Sequence, residues 1–143
     1  MRTILGTVGL LTLAAVAPSG QTIGSGSFSV PVVYHKLPNG LRVVVSEDHS
    51  APVVTVEVMY GIGFRIEPKN RTGFAHLFEH MMFQGSEHVK KFEHAKIVEA
   101  NGGNLNGSTR LDYTNYFETL PAEGLETALW LESDRMQIGR AHV

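Results

Sequence analysis

His76, Glu79 and His80 are the residues of this chain whose types and spacing can do chemistry together. Taking His76 as zero and about 100° per helical residue, His80 lies at about 40° and Glu79 at about −60°, so all three share one face. Two imidazoles one turn apart can both reach an ion at about 2.0–2.1 Å, the Zn–N distance, and a carboxylate on their flank can reach a water on that ion. Phe74, Leu77, Phe78, Met81 and Met82 fall between about 100° and 240° on the same projection. The segment therefore reads as a helix with an apolar face opposite its two imidazoles and carboxylate. With 7 His and 11 Glu among 143 residues, the pattern H-x-x-E-H is expected about 0.03 times in a random chain of this composition. The competing reading is an ion-pair cluster, His76 or His80 against Glu79, on a solvated helix. Spacing favours a metal and identifies no substrate.

That helix needs supports. Thr72 is its expected N-cap, the helix runs from Gly73 to about Gln84, and Gly85 is placed to close it. Ahead of it, Tyr34–Leu37 and Leu41–Ser46 read as two strands around Pro38-Asn39-Gly40, where Asn-Gly supplies the positive φ angles of a tight hairpin. Val53–Tyr60 is β-branched and nearly continuous in apolar character, as expected of a central strand. After the site come a helix from about Lys90 to Ala100, strands at Leu105–Thr109 and Thr114–Leu120, and a helix from Gly124 to Met136 with Leu125, Ala128, Leu129 and Met136 at apolar spacing. Strands interspersed with three helices give an α+β domain, a mixed β-sheet packed against helices, and no regular βαβ repeat.

Composition limits the chemistry. The chain is 43 % hydrophobic and 18 % charged, with 12 Lys+Arg against 14 Asp+Glu and no run of like charge, which excludes a nucleic-acid binder. Zero Cys excludes a disulfide framework, a thiolate nucleophile and any Cys-ligated metal. A metal must use His and carboxylates.

Residues 1–20 carry Arg2, an apolar run from Ile4 to Ala17 and then Pro18-Ser19-Gly20. The run is shorter than the about 20 residues a spanning helix needs, and the order is that of a secretory signal peptide, which predicts export to a bacterial periplasm or the exterior, with a membrane anchor as the outcome if it stays uncleaved. Residues 21–33 read as a flexible lead-in. Gln137–Val143 continues no periodicity, and its last six residues resemble a reading frame of a sequencing-adapter oligonucleotide. Residues 137–143 are therefore read as a non-native tail, and 34–136 as the truncated N-terminal part of a longer domain.

Arg65 onwards, with Gly73-Phe-Ala-His-Leu-Phe-Glu-His-Met-Met-Phe-Gln-Gly85, resembles the zinc-binding helix of the pitrilysin/insulysin family, peptidase family M16, whose H-x-x-E-H signature defines the inverzincins. Leu37-Pro-Asn-Gly-Leu41 resembles that family's opening hairpin, Ala100-Asn-Gly-Gly-Asn-Leu-Asn-Gly-Ser-Thr109 its active-site strand, and Leu129-Trp-Leu-Glu-Ser-Asp-Arg-Met136 the helix that follows. The resemblance implies a zinc endopeptidase in which His76 and His80 are metal ligands. Glu79 would be the general base that takes a proton from a zinc-bound water and returns it to the leaving amine. It implies that Gly103–Thr109 is an edge strand on which an extended peptide lies, with Asn106 and Gly107 matching the family's substrate-contacting Asn-Ala pair.

The resemblance also implies a glutamate ligand roughly 75 residues past the second histidine, which falls beyond Val143, and a second, similar half on the same or another chain that closes over the peptide. Two imidazoles alone make a weak zinc site, so this polypeptide taken by itself is expected to be inactive. The alternatives are a non-catalytic peptide-binding or scaffold subunit of the same fold, against which the intact His76, Glu79 and His80 speak, and S-ribosylhomocysteinase, which needs a cysteine and the cytosol. His35, His49, His88 and His94 share no helical face with the site and read as solvated. Met81, Met82 and Trp130 read as core filler, and Tyr113 and Tyr116 as packing.

Overall fold

A computed structural model of the chain describes residues 29–137. The signal segment 1–20, the lead-in as far as Phe28 and the tail from Ile138 lie outside the described residues. Among the described residues no helix is long and apolar enough to cross a membrane. The chain divides into two compact units, one ending at Glu47 and one beginning at Asp48.

The first unit is a hairpin of β1 (Val33–Lys36) and β2 (Arg42–Val45), antiparallel with Tyr34 opposite Val44 and His35 opposite Val43. Its loop is longer than the tight Asn-Gly turn read from the sequence. Gly40 N–H donates to Leu37 O at 2.9 Å and Leu37 N–H to Leu41 O at 2.8 Å, which draws both leucines out of the strands. Proline at the second position explains the slide, because its fixed φ suits that place in a β-turn and its missing N–H would break a ladder if it were a strand residue. Only Gly40 takes a positive φ, at 90°; Asn39 instead accepts from Leu41 N–H through Oδ1 at 3.1 Å.

The second unit is built on a three-stranded sheet of β3 (Val53–Tyr60), β4 (Asn104–Thr109) and β5 (Thr114–Pro121), in the order β3-β5-β4. It is wholly antiparallel, not the mixed sheet expected from the sequence, because β4 and β5 form a hairpin and β3 runs against β5. The central strand is thus β5 and not β3. Chain order decides this: β4 and β5 are joined by the short turn Arg110–Tyr113, and β3 pairs along the whole free side of β5, from Val53 opposite Pro121 to Tyr60 opposite Thr114. Alternation along β3 fits its place, with Val53, Thr55, Glu57 and Met59 exposed and their neighbours half-buried.

The helices α1 (Phe74–Met81), α2 (Glu93–Ala100) and α3 (Leu125–Arg135) lie against this sheet. Val89, Val98, Leu120, Ala128 and Leu131 form the core, with Val56, Ile97 and Leu105 packed around them. In α3 the apolar spacing misleads. Ala128 is buried, but Leu125, Leu129, Trp130 and Met136 are exposed, while Glu132, Asp134 and Arg135 are buried beside Leu131. About 100° per residue puts Glu132 and Arg135 on the stripe of Ala128 and Leu131, so the helix turns an ion pair inward and a tryptophan outward.

A loop ahead of α1 is docked on the β4–β5 turn. Phe64 N–H donates to Arg110 O at 3.0 Å and Arg65 N–H to Leu111 O at 2.8 Å. The Arg65 guanidinium grips the Asp112 carboxylate through Nε and Nη2, which holds the Asp112 carboxyl below its usual range. A Cβ on Gly63 would sit 2.3 Å from Arg110 O, so only glycine permits this approach.

Candidate active site

The N-terminus of α1 is satisfied from a distance. The capping position is Gly73, at φ 93° and with no side-chain cap, not Thr72. Glu67 bridges the first turn instead, accepting from Gly73 N–H at 2.8 Å and from Ala75 N–H at 2.7 Å. A carboxylate takes both donors and meets the positive end of the helix dipole, which one threonine hydroxyl cannot do. Those bonds, from Ala75 first and then Gly73, hold the Glu67 carboxyl below its usual range.

His76 and His80 stand on the solvent side of α1 with their Nε2 atoms 3.0 Å apart and their rings tilted by 46°. The two ring nitrogens face each other within hydrogen-bond distance. Tetrahedral bonds of about 2.0–2.1 Å would set two such nitrogens about 3.3 Å apart, so this donor pair fits a zinc ion after a few tenths of an ångström of movement. Glu79 projects from the same turn toward the sheet and is 9 % exposed. Its Oε2 accepts from the Thr109 hydroxyl at 2.5 Å. Thr114 stands behind Thr109, its Oγ1 3.4 Å from that of Thr109 and 2.9 Å from Ile62 O.

The faces of α1 differ from the sequence reading. Ala75 and Glu79 are buried; Phe74, Leu77, Phe78 and Met81 are exposed and Met82 is half-buried. A small residue and a hydrogen-bonded carboxylate make the close approach to β4 and β5, leaving the bulky side chains outward. Of these, Phe74, Phe78 and Met82 border a cavity of about 460 Å³ shared with Ile62, Ile66 and Tyr116. Tyr116 is itself buried, stacked edge-to-face on Tyr60 and Phe83, and burial pushes its hydroxyl up.

Among the described residues β4 is an edge strand. Asn106 is exposed upon it, and its Oδ1 accepts from Gly107 N–H at 2.8 Å. Gly107 is turned inward; a Cβ there would meet Tyr116 Cδ1 at 3.1 Å and Phe83 Cζ at 3.2 Å, so the position takes nothing larger than a small residue. The strand thus carries Asn106 and Gly107 near its middle and touches Glu79 through its last residue, Thr109.

Two groups escaped sequence reading. Thr109 and Glu67 act across 30 and 8 residues of chain, beyond any local pattern. The second is a buried quartet. His94 is not solvated: it is 5 % exposed, its Nε2 lies 2.8 Å from Glu118 Oε2, and its Nδ1 lies 3.1 Å from Arg135 Nη2. Arg135 also pairs with Glu132 at 3.1 Å and lies over the rings of Tyr116 and Phe83. His94, Glu118 and Glu132 bring ligand-type atoms within 4.8 Å of one another, but the Arg135 guanidinium is the cation already resident among them. The available signal was two charged residues on the stripe of Ala128 and Leu131. His88 is exposed yet not free, since its Nδ1 lies 2.6 Å from Asp134 Oδ1, a bond that raises its pKa.

A sequence profile of the insulinase family, peptidase family M16, matches residues 42–137. The chain belongs to the M16 family. It is 38 % identical over 101 residues to the zinc protease PqqE of Helicobacter pylori, covering 70 % of this chain and 23 % of that protein. To the insulin-degrading enzyme homolog of Dictyostelium discoideum it is 39 % identical over 98 residues, covering 67 % of this chain and 10 % of the relative. The chain therefore spans at most about a quarter of the length of these M16 relatives. The crystal structure of a protease from Helicobacter pylori superposes with a TM-score of 0.72 at 34 % identity, over 76 % of this chain and 26 % of that one. Pitrilysin superposes with a TM-score of 0.68 at 24 % identity, over 76 % and 12 %, a likeness of fold. Zinc is the ion this membership implies, and the His76–His80 pair has the donor chemistry to hold it.

Proposed function

We propose that the full-length protein carrying this chain is a zinc-dependent endopeptidase that cuts extended peptides or small proteins. The observation that carries the reading is the pair of Nε2 atoms 3.0 Å apart on one turn of α1, with an acid on that turn that is held by the sheet and left out of the pair. His76 and His80 would hold the ion, with a third carboxylate ligand contributed from beyond this segment. Zinc held there supplies a Lewis acid that acidifies a water toward a pKa of about 7 and polarises a carbonyl.

Glu79 takes one proton from the attacking water, whose oxygen adds to the carbonyl carbon. As the C–N bond breaks, the same carboxyl hands that proton to the leaving amine. The role demands a carboxylate that is not itself a ligand, and the bond to Thr109 holds Glu79 on the sheet side of the helix. The edge position of β4 supports its use as a template to which the peptide adds as a further strand, with Asn106 and Gly107 beside it; main-chain pairing of that kind reads extended shape before side chains. A second half of similar fold, on this chain or another, would close over the peptide. The order of Arg2, apolar run and small residues supports export.

The test is cleavage of an internally quenched extended peptide by the full-length protein. Turnover is expected to vanish with a zinc chelator and to return on adding zinc, while the 143-residue chain alone holds zinc weakly and cuts little. Cleavage indifferent to chelation would contradict the proposal.

A further inference from the structure

We infer that Thr109 is the positioning residue of the general base. It aims the Glu79 carboxylate from the strand on which the substrate would lie, and so ties the docking of a peptide to the orientation of the group that handles its proton. The inference rests on the peptidase reading and adds to it a role for a residue at the end of the β4 strand.

The Thr109 hydroxyl has one proton, and it is given to Glu79 Oε2 at 2.5 Å, within the range of a charge-assisted O–H···O⁻ bond. Among the described residues no other hydrogen bond to the Glu79 carboxylate is found, so one oxygen is pinned and the other is left to meet a water. A glutamate has three side-chain torsions, and without a partner it samples many arrangements of its carboxylate. Glu79 has this single tether.

The tether is rigid at its far end. Thr109 is β-branched and sits on a paired strand, opposite Thr114 in the β4–β5 ladder. Behind it Thr114 Oγ1 lies 3.4 Å from Thr109 Oγ1 and donates to Ile62 O at 2.9 Å, linking the hydroxyl to the docked loop that leads into α1. Thr109 lies three residues beyond Asn106 on the same edge strand. A peptide pairing with β4 would order the strand from which the base is held, so binding and proton transfer share one element. The Thr109 hydroxyl is spent on Glu79, so the effect of removing it runs through that carboxylate.

The experiment compares Thr109→Val, which keeps the shape and removes the hydroxyl, with Thr109→Ser, which restores the hydroxyl, in the full-length protein. Thr109→Val is expected to lower kcat by about tenfold to a hundredfold, the loss that follows from misplacing a reacting group by about an ångström. KM should change less than about twofold and zinc should remain stoichiometric, while Thr109→Ser stays within about threefold of the parent. Crystal structures supply a readout apart from activity: Glu79 keeps its conformation in the serine variant and leaves it in the valine variant. On a Glu79→Gln background Thr109→Val should cost nothing more. The inference is overturned if both variants lose kcat equally, if valine acts through KM, zinc content or unfolding and serine does not rescue it, or if valine is as fast as the parent. A parent protein that neither holds zinc nor cuts peptide would sink the peptidase reading itself, which is a separate result.

Discussion

Glu79→Gln in the full-length protein is expected to lower kcat by about 10²–10⁴-fold, the usual contribution of a positioned general acid–base, or about 3–5 kcal/mol of transition-state stabilisation. KM and zinc content should be unchanged. The isosteric amide can still accept from Thr109 through its oxygen, so fold and site geometry persist while the proton acceptor is gone. Steady-state kinetics on a quenched peptide read the outcome. A variant within tenfold of the parent would mean that another group moves the proton and that Glu79 serves the structure.

The second large effect concerns the buried quartet. Removing Arg135 as Arg135→Met leaves Glu132, 2 % exposed, without its cation, and takes from His94, the partner of the fully buried Glu118, the guanidinium beside it. Breaking a buried pair in this way costs about 3–5 kcal/mol, because the remaining charge is uncompensated. Hydrogen exchange should show α3 and β5 losing about 10²–10³ in protection, and adding Glu118→Gln and Glu132→Gln to Arg135→Met should recover much of it. Full protection in the single variant would show that the quartet is not held together by charge.

The same cluster sets a pH dependence. Burial, opposed by Arg135 and aided by Glu118, pushes the Glu132 carboxyl up to about 7 from an ordinary 4.5. The folded protein therefore keeps a proton that the unfolded chain releases across that interval. Its stabilising share is whole below the ordinary value and is lost as pH rises through about 7. His88, raised by its bond to Asp134, acts in the same sense from 6.5 upward. Protection in α3 is thus expected to be lower at about pH 8 than at about pH 5.5, and Glu132→Gln should flatten the slope.

The parts of this fold legible in the sequence are those in which local pattern and tertiary role agree. Val53–Tyr60 was read to its exact residues, since its β-branched run has no helical alternative, and α2 ends at Asn101-Gly102 as its glycine predicts. The juxtaposition of His76 and His80 was legible because i, i+4 spacing is itself the geometry: two side chains one turn apart on a helix are neighbours if the helix forms. Where a role is settled by residues far away, pattern misled. The apolar arc of α1 implied a buried face, yet a hydroxyl 30 residues later made Glu79 the better residue to place against the sheet. Thr72 looked like a cap until a returning loop delivered Glu67. Trp130 and Leu129 looked like core in a helix whose buried stripe is Ala128, Leu131, Glu132 and Arg135, because ring faces and a histidine from other elements wait there for the guanidinium. A one-dimensional hydrophobic pattern cannot register a charge whose partners are folded in from elsewhere.

The most direct test of the central claim, that one turn of α1 presents two metal-holding imidazoles and one carboxylate that is not a ligand, is zinc content after exhaustive dialysis. It is measured on the full-length protein and on its His76→Ala and Glu79→Gln variants. The account predicts about one zinc per site in the parent and in Glu79→Gln, and its loss from His76→Ala. Zinc retained by His76→Ala, or lost from Glu79→Gln, would contradict it.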